Sequence, residues 1–240
     1  VVLKPAETTS LTALLLAEVL QEAGLPEGVV NIVTGAGETG AALVNHPDVN
    51  KVAFTGSTEV GKKIQKALAS TNKRLTLELG GKSAHIIYED AAIDQAVEGV
   101  INGIYFNQGH VCCAGSRLLV EESVSDLVVK KLKRRMEQLR VGDPLDKNTD
   151  VGAINSLAEL HKIQRLVQIA KDEGGEFFEP TSRDLPSKGY FHKPCFFNNV
   201  SSAATISRVE VFGPVLAIST FRTPAEAIAK ANDTPYGLAA

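Results

Sequence analysis

Short apolar runs alternate along this chain with longer segments whose apolar residues recur every three or four positions, and this alternation organises the first eighty residues. Residues 1–3 read as a strand stopped by Lys4-Pro5. Thr9 or Ser10 then caps a helix with apolar positions through Leu20, closed by Gly24-Leu25-Pro26. The unit recurs as strand 29–33, a glycine turn, helix 39–45, strand 52–54, helix 57–69 and strand 75–79. Strands separated by helices predict a parallel sheet with covering helices, because each parallel connection must cross a sheet face.

Gly80-Gly81-Lys82-Ser83 breaks this rhythm, and a domain boundary is placed there, giving domains 1–80 and 81–240. Beyond it the pattern predicts strand 84–88, helix 93–106, a cysteine-bearing segment, strand 117–121 and a long helix 123–139. Val141-Gly142-Asp143-Pro144 reads as a turn, 156–172 as a third long helix, and the Gly-, Pro-, Ser- and Asp-rich stretch 174–189 as a solvent-facing loop. Strands 193–198 and 214–221 follow, then helix 224–231 with Thr223 at its cap and Pro224 in its first turn. Repeats and low-complexity tracts are absent. The chain begins and ends inside such elements, so it is expected to be a piece of a longer polypeptide.

Composition narrows the partners more than the fold. A length of 240 residues suits one large or two small domains, and 44% apolar with 22% charged residues is ordinary for a globular chain. A net charge of -3 carries no basic excess that would attract nucleic acid or an anionic membrane. The longest apolar stretch, 11–20, is broken by Thr12 and Glu18 and falls short of the roughly 18 residues of a membrane span. Val1-Val2-Leu3 lacks the basic start of a signal peptide, so a reducing, cytoplasmic setting is expected. The three cysteines, Cys112, Cys113 and Cys195, lack zinc-site spacing, and no metal is expected. Composition leaves Cys112 and Cys113 open between small buried hydrophobes and a reactive thiol.

Three segments have the chemistry of a dinucleotide site. Gly35-Ala36-Gly37-Glu38-Thr39-Gly40 spells a G-x-G-x-x-G fingerprint between a strand and a helix, although a tight glycine turn without a ligand spells the same. Thr55-Gly56-Ser57 leads a strand into a helix whose free N–H groups suit an anion, and Ser57 equally suits a plain N-cap with Val60 packed inward. Lys4-Pro5-Ala6-Glu7 ends a strand, where an acidic side chain can bind ribose hydroxyls or be merely solvated.

Phe106-Asn107-Gln108-Gly109-His110-Val111-Cys112-Cys113-Ala114-Gly115-Ser116-Arg117 and Thr76-Leu77-Glu78-Leu79-Gly80-Gly81-Lys82-Ser83 closely resemble aldehyde dehydrogenase signatures. The resemblance extends to Lys4–Glu7, Phe54–Glu59, Glu210-Val211-Phe212-Gly213-Pro214 and Asn232–Leu238, in the family's order, and so covers nearly the whole chain. Two departures are Arg208-Val209-Glu210, where many members have consecutive glutamates, and His110, where Gln is frequent. The family's members are about twice as long.

This resemblance implies an α/β fold of aldehyde dehydrogenase type: part of a Rossmann-type parallel cofactor sheet plus an α/β catalytic domain. It implies Cys112 as nucleophile, with Cys113 its inactive neighbour, and Glu78 as general base. NAD is the implied cofactor, with NADP tolerated less well. Lys4 and Glu7 fall to the adenosine ribose, Gly37 to the adenine pocket, and Gly56 and Ser57 to the pyrophosphate region. Leu79 and Gly80 lie in the cofactor site, Gly80 by the nicotinamide, while Glu210 binds the nicotinamide ribose and Phe212 packs beside its ring. On this comparison the Gly35–Gly40 fingerprint does not hold the pyrophosphate. A small-molecule aldehyde as substrate and a homo-oligomeric intact enzyme are also implied. Two rivals are a relative that passes its acyl group to coenzyme A, which generally lacks the Glu78 carboxylate, and a catalytically silent dinucleotide-binding or scaffold fragment.

Overall fold

Between Leu79 and Gly80 the computed structural model, which describes residues 1–182 and 184–240, divides into two units. In the first, β1 (Val2–Leu3) pairs in parallel with β2 (Asn31–Ile32) across the connecting helix α1 (Ser10–Glu22). Helix α2 (Gly37–Asn45) leads to β3 (Lys51–Thr55), and α3 (Thr58–Leu68) returns the chain to β4 (Arg74–Glu78), parallel to β3. Alternation decides which side of the β3–β4 pair is covered. Val52, Phe54 and Leu75 pack on Val44, Ile64 and Leu68 of the helices, while Lys51, Ala53, Thr55, Arg74, Thr76 and Glu78 are exposed.

Several boundaries differ from the sequence reading. The second strand holds only two residues, and β4 stops at Glu78, leaving Leu79 outside it. Thr9 makes no capping bond through its side chain; a 3₁₀ turn at Glu7–Thr9 feeds α1 instead. No residue of α1 is buried, and Leu11 is 81% exposed, because a two-residue strand pair presents no face wide enough for a helix to cover. Ser57 caps α3 by accepting the Val60 amide at 3.3 Å, yet Val60 is exposed and not packed inward.

The second unit is three-layered. Its strands are β5 (Ala84–Ile87), β6 (Arg117–Glu121), β7 (Glu176–Phe178), β8 (Cys195–Asn198) and β9 (Val215–Phe221), in the spatial order β5-β6-β9-β8-β7. All neighbours are parallel except β7, which runs antiparallel to β8 at the edge. Helices α4 (Ile93–Tyr105) and α5 (Ser125–Met136) cover one face; α6 (Leu157–Asp172) and α8 (Pro224–Asn232) cover the other, with the short α7 (Thr205–Arg208) beside α6. Consecutive strand residues serve opposite layers: Leu216 and Ile218 face α4 and α5, Val215 and Ala217 face α6. A sheet buried on both faces accounts for the continuous apolar runs at 118–120 and 215–218.

Strand β7 and helix α7 escape the sequence pattern. The stretch 174–189, expected to be a solvent-facing loop, contributes β7, because Phe177 packs at a tilt on Phe197 and Phe178 stacks on Phe196, with ring centroids 5.1 and 5.0 Å apart. Arg183 of that stretch lies outside the described residues. The helix expected at 123–139 is shorter: its start is a 3₁₀ turn at Glu122–Val124, where the Ser123 hydroxyl donates to Glu89. The strand expected from 193 begins at Cys195, after Pro194.

Candidate active site

Parallel pairing puts the first unit's candidate residues at the carboxyl ends of strands, where doubly wound sheets receive ligands. Lys4 and Glu7 follow β1, Gly37 opens α2 after β2, Gly56 and Ser57 follow β3, and Glu78 ends β4. Glu78 is opposite Thr55 in the ladder, and its carbonyl accepts the Gly56 amide at 3.0 Å, so the candidate base and the candidate anion-binding turn are neighbours. A Cβ on Gly56 would strike the Phe54 ring. Leu79 packs its side chain into the notch left by Gly61 of α3.

Lys4 is held by backbone. Its ammonium donates to the carbonyls of Pro5 at 2.7 Å and Gly35 at 2.8 Å, and lies 3.9 Å from Glu7. That fastens the loop after β1 to the loop after β2. Gly35, with φ of +147°, is tucked against Thr39, and Gly40 faces the Lys4 stem; two of the three glycines of the literal fingerprint thus have packing neighbours of their own. A cleft of about 230 Å³ opens between Pro5, Ala6, Glu7 and Ser10 on one side and Thr34, Gly35 and Ala36 on the other.

In the second unit the cysteine segment leaves α4 through three consecutive left-handed residues, Asn107, Gln108 and Gly109, with φ of 49°, 48° and 75°. For Asn and Gln this conformation is uncommon and costs about 1–3 kcal/mol each. Two long-range contacts hold it. A Cβ on Gly109 would overlap the Gly213 carbonyl, so the two backbones touch. The His110 ring donates from Nδ1 to the Phe212 carbonyl at 2.8 Å and stacks on the Phe212 ring at 5.3 Å with planes 9° apart. Phe212 itself has a left-handed φ of 55°.

Cys112 and Cys113 occupy the middle of a turn closed by the Ala114 amide on the Val111 carbonyl at 3.0 Å, and both thiols are exposed. Cys195 is buried in β8, and burial pushes its thiol far above the ordinary cysteine range. Only the pair at 112 and 113 is available for chemistry.

Gly80 and Gly81 form a wedge. The Gly81 amide donates to the Glu210 carboxylate at 2.9 Å, a Cβ on Gly80 would strike that carboxylate, and a Cβ on Gly81 would strike the Cys112 carbonyl. The second unit thereby gathers Gly80, Glu210, Phe212 and the Cys112 backbone. Lys4, Glu7, Gly37, Gly56, Ser57, Glu78 and Leu79 belong to the first.

Sequence reasoning passed over Gly109, Gly213 and the buried pair Lys82 and Arg117. Arg117 donates to the carbonyls of Lys82 at 2.8 Å, Lys230 at 2.8 Å and Ala231 at 2.7 Å, tying the glycine wedge to the end of α8. Lys82 is fully buried and its ammonium has no partner among the described residues. Burial pushes it down to about 7, the Arg117 charge acting in the same sense and Glu210 opposing. From pH 7 to the ordinary lysine value the unfolded chain then holds a proton that the native state has released, so stability rises with pH across that window. Lys82→Met is expected to melt roughly 5 °C above the wild type near neutral pH, with the gap closing toward pH 10. Thermal melts of the two intact proteins across this range test it; a constant gap would place the ammonium in a polar setting.

The comparisons agree in kind. A family model described as "Aldehyde dehydrogenase family" matches residues 1–240. A putative aldehyde dehydrogenase of Bacillus subtilis is 47% identical over the whole chain, which spans 48% of that relative's length. Among solved structures, an NAD-dependent aldehyde dehydrogenase from Sinorhizobium meliloti superposes with a TM-score of 0.95 at 43% identity, over 98% of this chain and 47% of that one. An indole-3-acetaldehyde dehydrogenase from P. syringae, a Cys-to-Ala mutant in complex with NAD+ and IAA, gives 0.94 at 38% identity, over 98% and 48%. The chain spans about half the length of the relatives it matches, and along its full length it belongs to the aldehyde dehydrogenase family.

Proposed function

We propose that the intact protein oxidises an aldehyde to its carboxylic acid with NAD, using Cys112 as nucleophile and Glu78 as general base. The observation that carries this reading is the exposed Cys112 on a turn braced by Gly81, Gly109 and His110, in a chain of this family. On this reading Val1–Leu79 belongs to the dinucleotide-binding domain and the remainder to the catalytic domain.

The residues present fit the cofactor. The cleft beside Glu7 takes an adenine-sized ring, the exposed Glu7 carboxylate accepts from a ribose hydroxyl, and the start of α3 offers backbone N–H groups to the pyrophosphate. Glu210, held on the Gly81 amide, keeps a second oxygen for the other ribose, and Phe212 borders the nicotinamide. Bound NAD supplies the hydride acceptor.

The chain's own residues do the rest. The Cys112 sulfur, as thiolate, adds to the carbonyl carbon; the carbonyl electron pair moves to oxygen, where the Cys112 amide is one donor. That amide donates to no other group among the described residues. Collapse of the oxyanion with loss of hydride leaves a thioester on Cys112. Glu78 takes a proton from water, the hydroxide adds to the thioester carbon, and the second collapse expels the thiolate and releases the acid. A carboxylate able to activate water favours hydrolysis over acyl transfer to coenzyme A. The relatives' names do not favour a silent scaffold. The same resemblance carries the expectation of a cytoplasmic homo-oligomer. The test is a panel of aldehydes in which NADH and carboxylate appear one for one; either product without the other would refute the reading.

Glu7 sets cofactor choice. Its carboxylate accepts from a ribose 2′-hydroxyl but repels a 2′-phosphate, and the nearby Lys4 ammonium, engaged by two carbonyls, offsets this in part. NAD is expected to be preferred, and Glu7→Gln to shift the NADP-to-NAD ratio of kcat/KM upward by about tenfold. A wild type that favours NADP would contradict this assignment.

A further inference from the structure

We infer that His110 is a positioning residue whose neutral ring, by bonding Phe212 and the loop before α6 at once, holds the nicotinamide wall and the nucleophile's loop in one arrangement. The proposal rests on the reading of function above. The bonds fix the tautomer. The Phe212 carbonyl can only accept, so Nδ1 carries the proton; the Asn155 amide can only donate, at 3.3 Å, so Nε2 is bare. The ring also stacks on the Phe212 ring. Three segments distant in sequence therefore converge on one imidazole two residues before Cys112.

This arrangement exists only while the ring is neutral. A proton on Nε2 would face the Asn155 N–H and turn its hydrogen bond into a repulsion between two donors. Burial holds His110 below the ordinary 6.5. The groups facing it bear on the same balance: Glu159 of α6 favours the proton and Lys162 of α6 opposes it. Cys112 and Cys113 on its own loop and Glu210 on the Phe212 segment are the other titratable groups nearby in sequence. As pH falls below 6.5, His110 takes up a proton and the Asn155 bond is lost, so the loop before α6 separates from the cysteine loop while Nδ1 still donates to Phe212, and the three-way arrangement is broken.

The experiment compares the intact wild type with His110→Gln, whose amide can both donate and accept, and His110→Phe, which keeps only the stacking ring. Thermal melts of each accompany the kinetics. His110→Gln is expected to stay within about threefold of wild-type kcat/KM for NAD above neutral pH and to lack the acid limb that the wild type has below 6.5. His110→Phe is expected to lose about tenfold in kcat/KM at all pH values. Iodoacetamide labelling of Cys112 against Cys113, mapped by peptide mass, needs no aldehyde; His110→Phe is expected to change that ratio about threefold or more. A wild type inactive on every aldehyde would sink the function while the labelling still tests His110. An acid limb retained in His110→Gln, or an unchanged labelling ratio in His110→Phe, would overturn the proposal.

Discussion

Cys112→Ala is expected to remove aldehyde oxidation and ester hydrolysis together from the intact protein, by roughly 10⁴-fold or more, while Cys113→Ala keeps both within a few-fold. Exposure does not separate the two thiols, since both are open to solvent. What separates them is the turn on which they sit. Consecutive residues in a turn closed by Ala114 on Val111 direct their side chains differently, and it is the Cys112 carbonyl that lies against Gly81. Its amide and sulfur are thereby fixed relative to the glycine wedge that also binds Glu210. Cys195 cannot substitute, because its thiol is buried and stays protonated. Steady-state rates with an aldehyde and with an activated ester decide the matter, and equal losses in the two variants would sink the assignment to Cys112.

The second large effect is expected at Glu78. Glu78→Gln keeps the shape of the β4 end and its carbonyl bond to Gly56, so NAD affinity should change by less than about threefold. Turnover should fall by roughly 10²–10⁴-fold, the contribution of a general base, and recover in part as hydroxide rises with pH. Rapid-quench measurement should find NADH formed early and acid released slowly, since the thioester waits for an activated water. Unchanged turnover would make Glu78 a solvated strand end, which its exposed position in the ladder also permits.

Much of this site was legible in the chain because its parts are local. Ser57, Ser156 and Thr223 each cap a helix by accepting the amide three residues on, and both the donor and the acceptor lie in one short window. Strand-then-helix order, in the same way, follows from period-two and period-3.6 patterns of neighbouring residues, and it placed Lys4, Gly56 and Glu78 at strand ends. Where the pattern failed, a distant partner was responsible. Phe177 and Phe178 become a strand only because β8 presents Phe196 and Phe197 to them, and α1 stays exposed because the strands beside it pair for two residues only.

The sequence by itself determined most of the elements and their order, the caps at Ser57 and Thr223, and, through its resemblance to a family, which cysteine and which glutamate carry the candidate chemistry. Tertiary structure alone decided the strand order β5-β6-β9-β8-β7, in which β9 enters between β6 and β8. It alone joined His110 to Phe212 across 102 residues and Gly81 to Glu210 across 129. It also gave Gly109 and Gly213 their purpose: Gly109 lies against the Gly213 carbonyl, and Gly213 makes room for Ile163 of α6. The physical reason is one of range. A cap or an amphipathic period is satisfied by atoms a few residues away and leaves its mark in adjacent letters. A hydrogen bond between segments a hundred residues apart is satisfied only after the sheet has closed, and no local window records it.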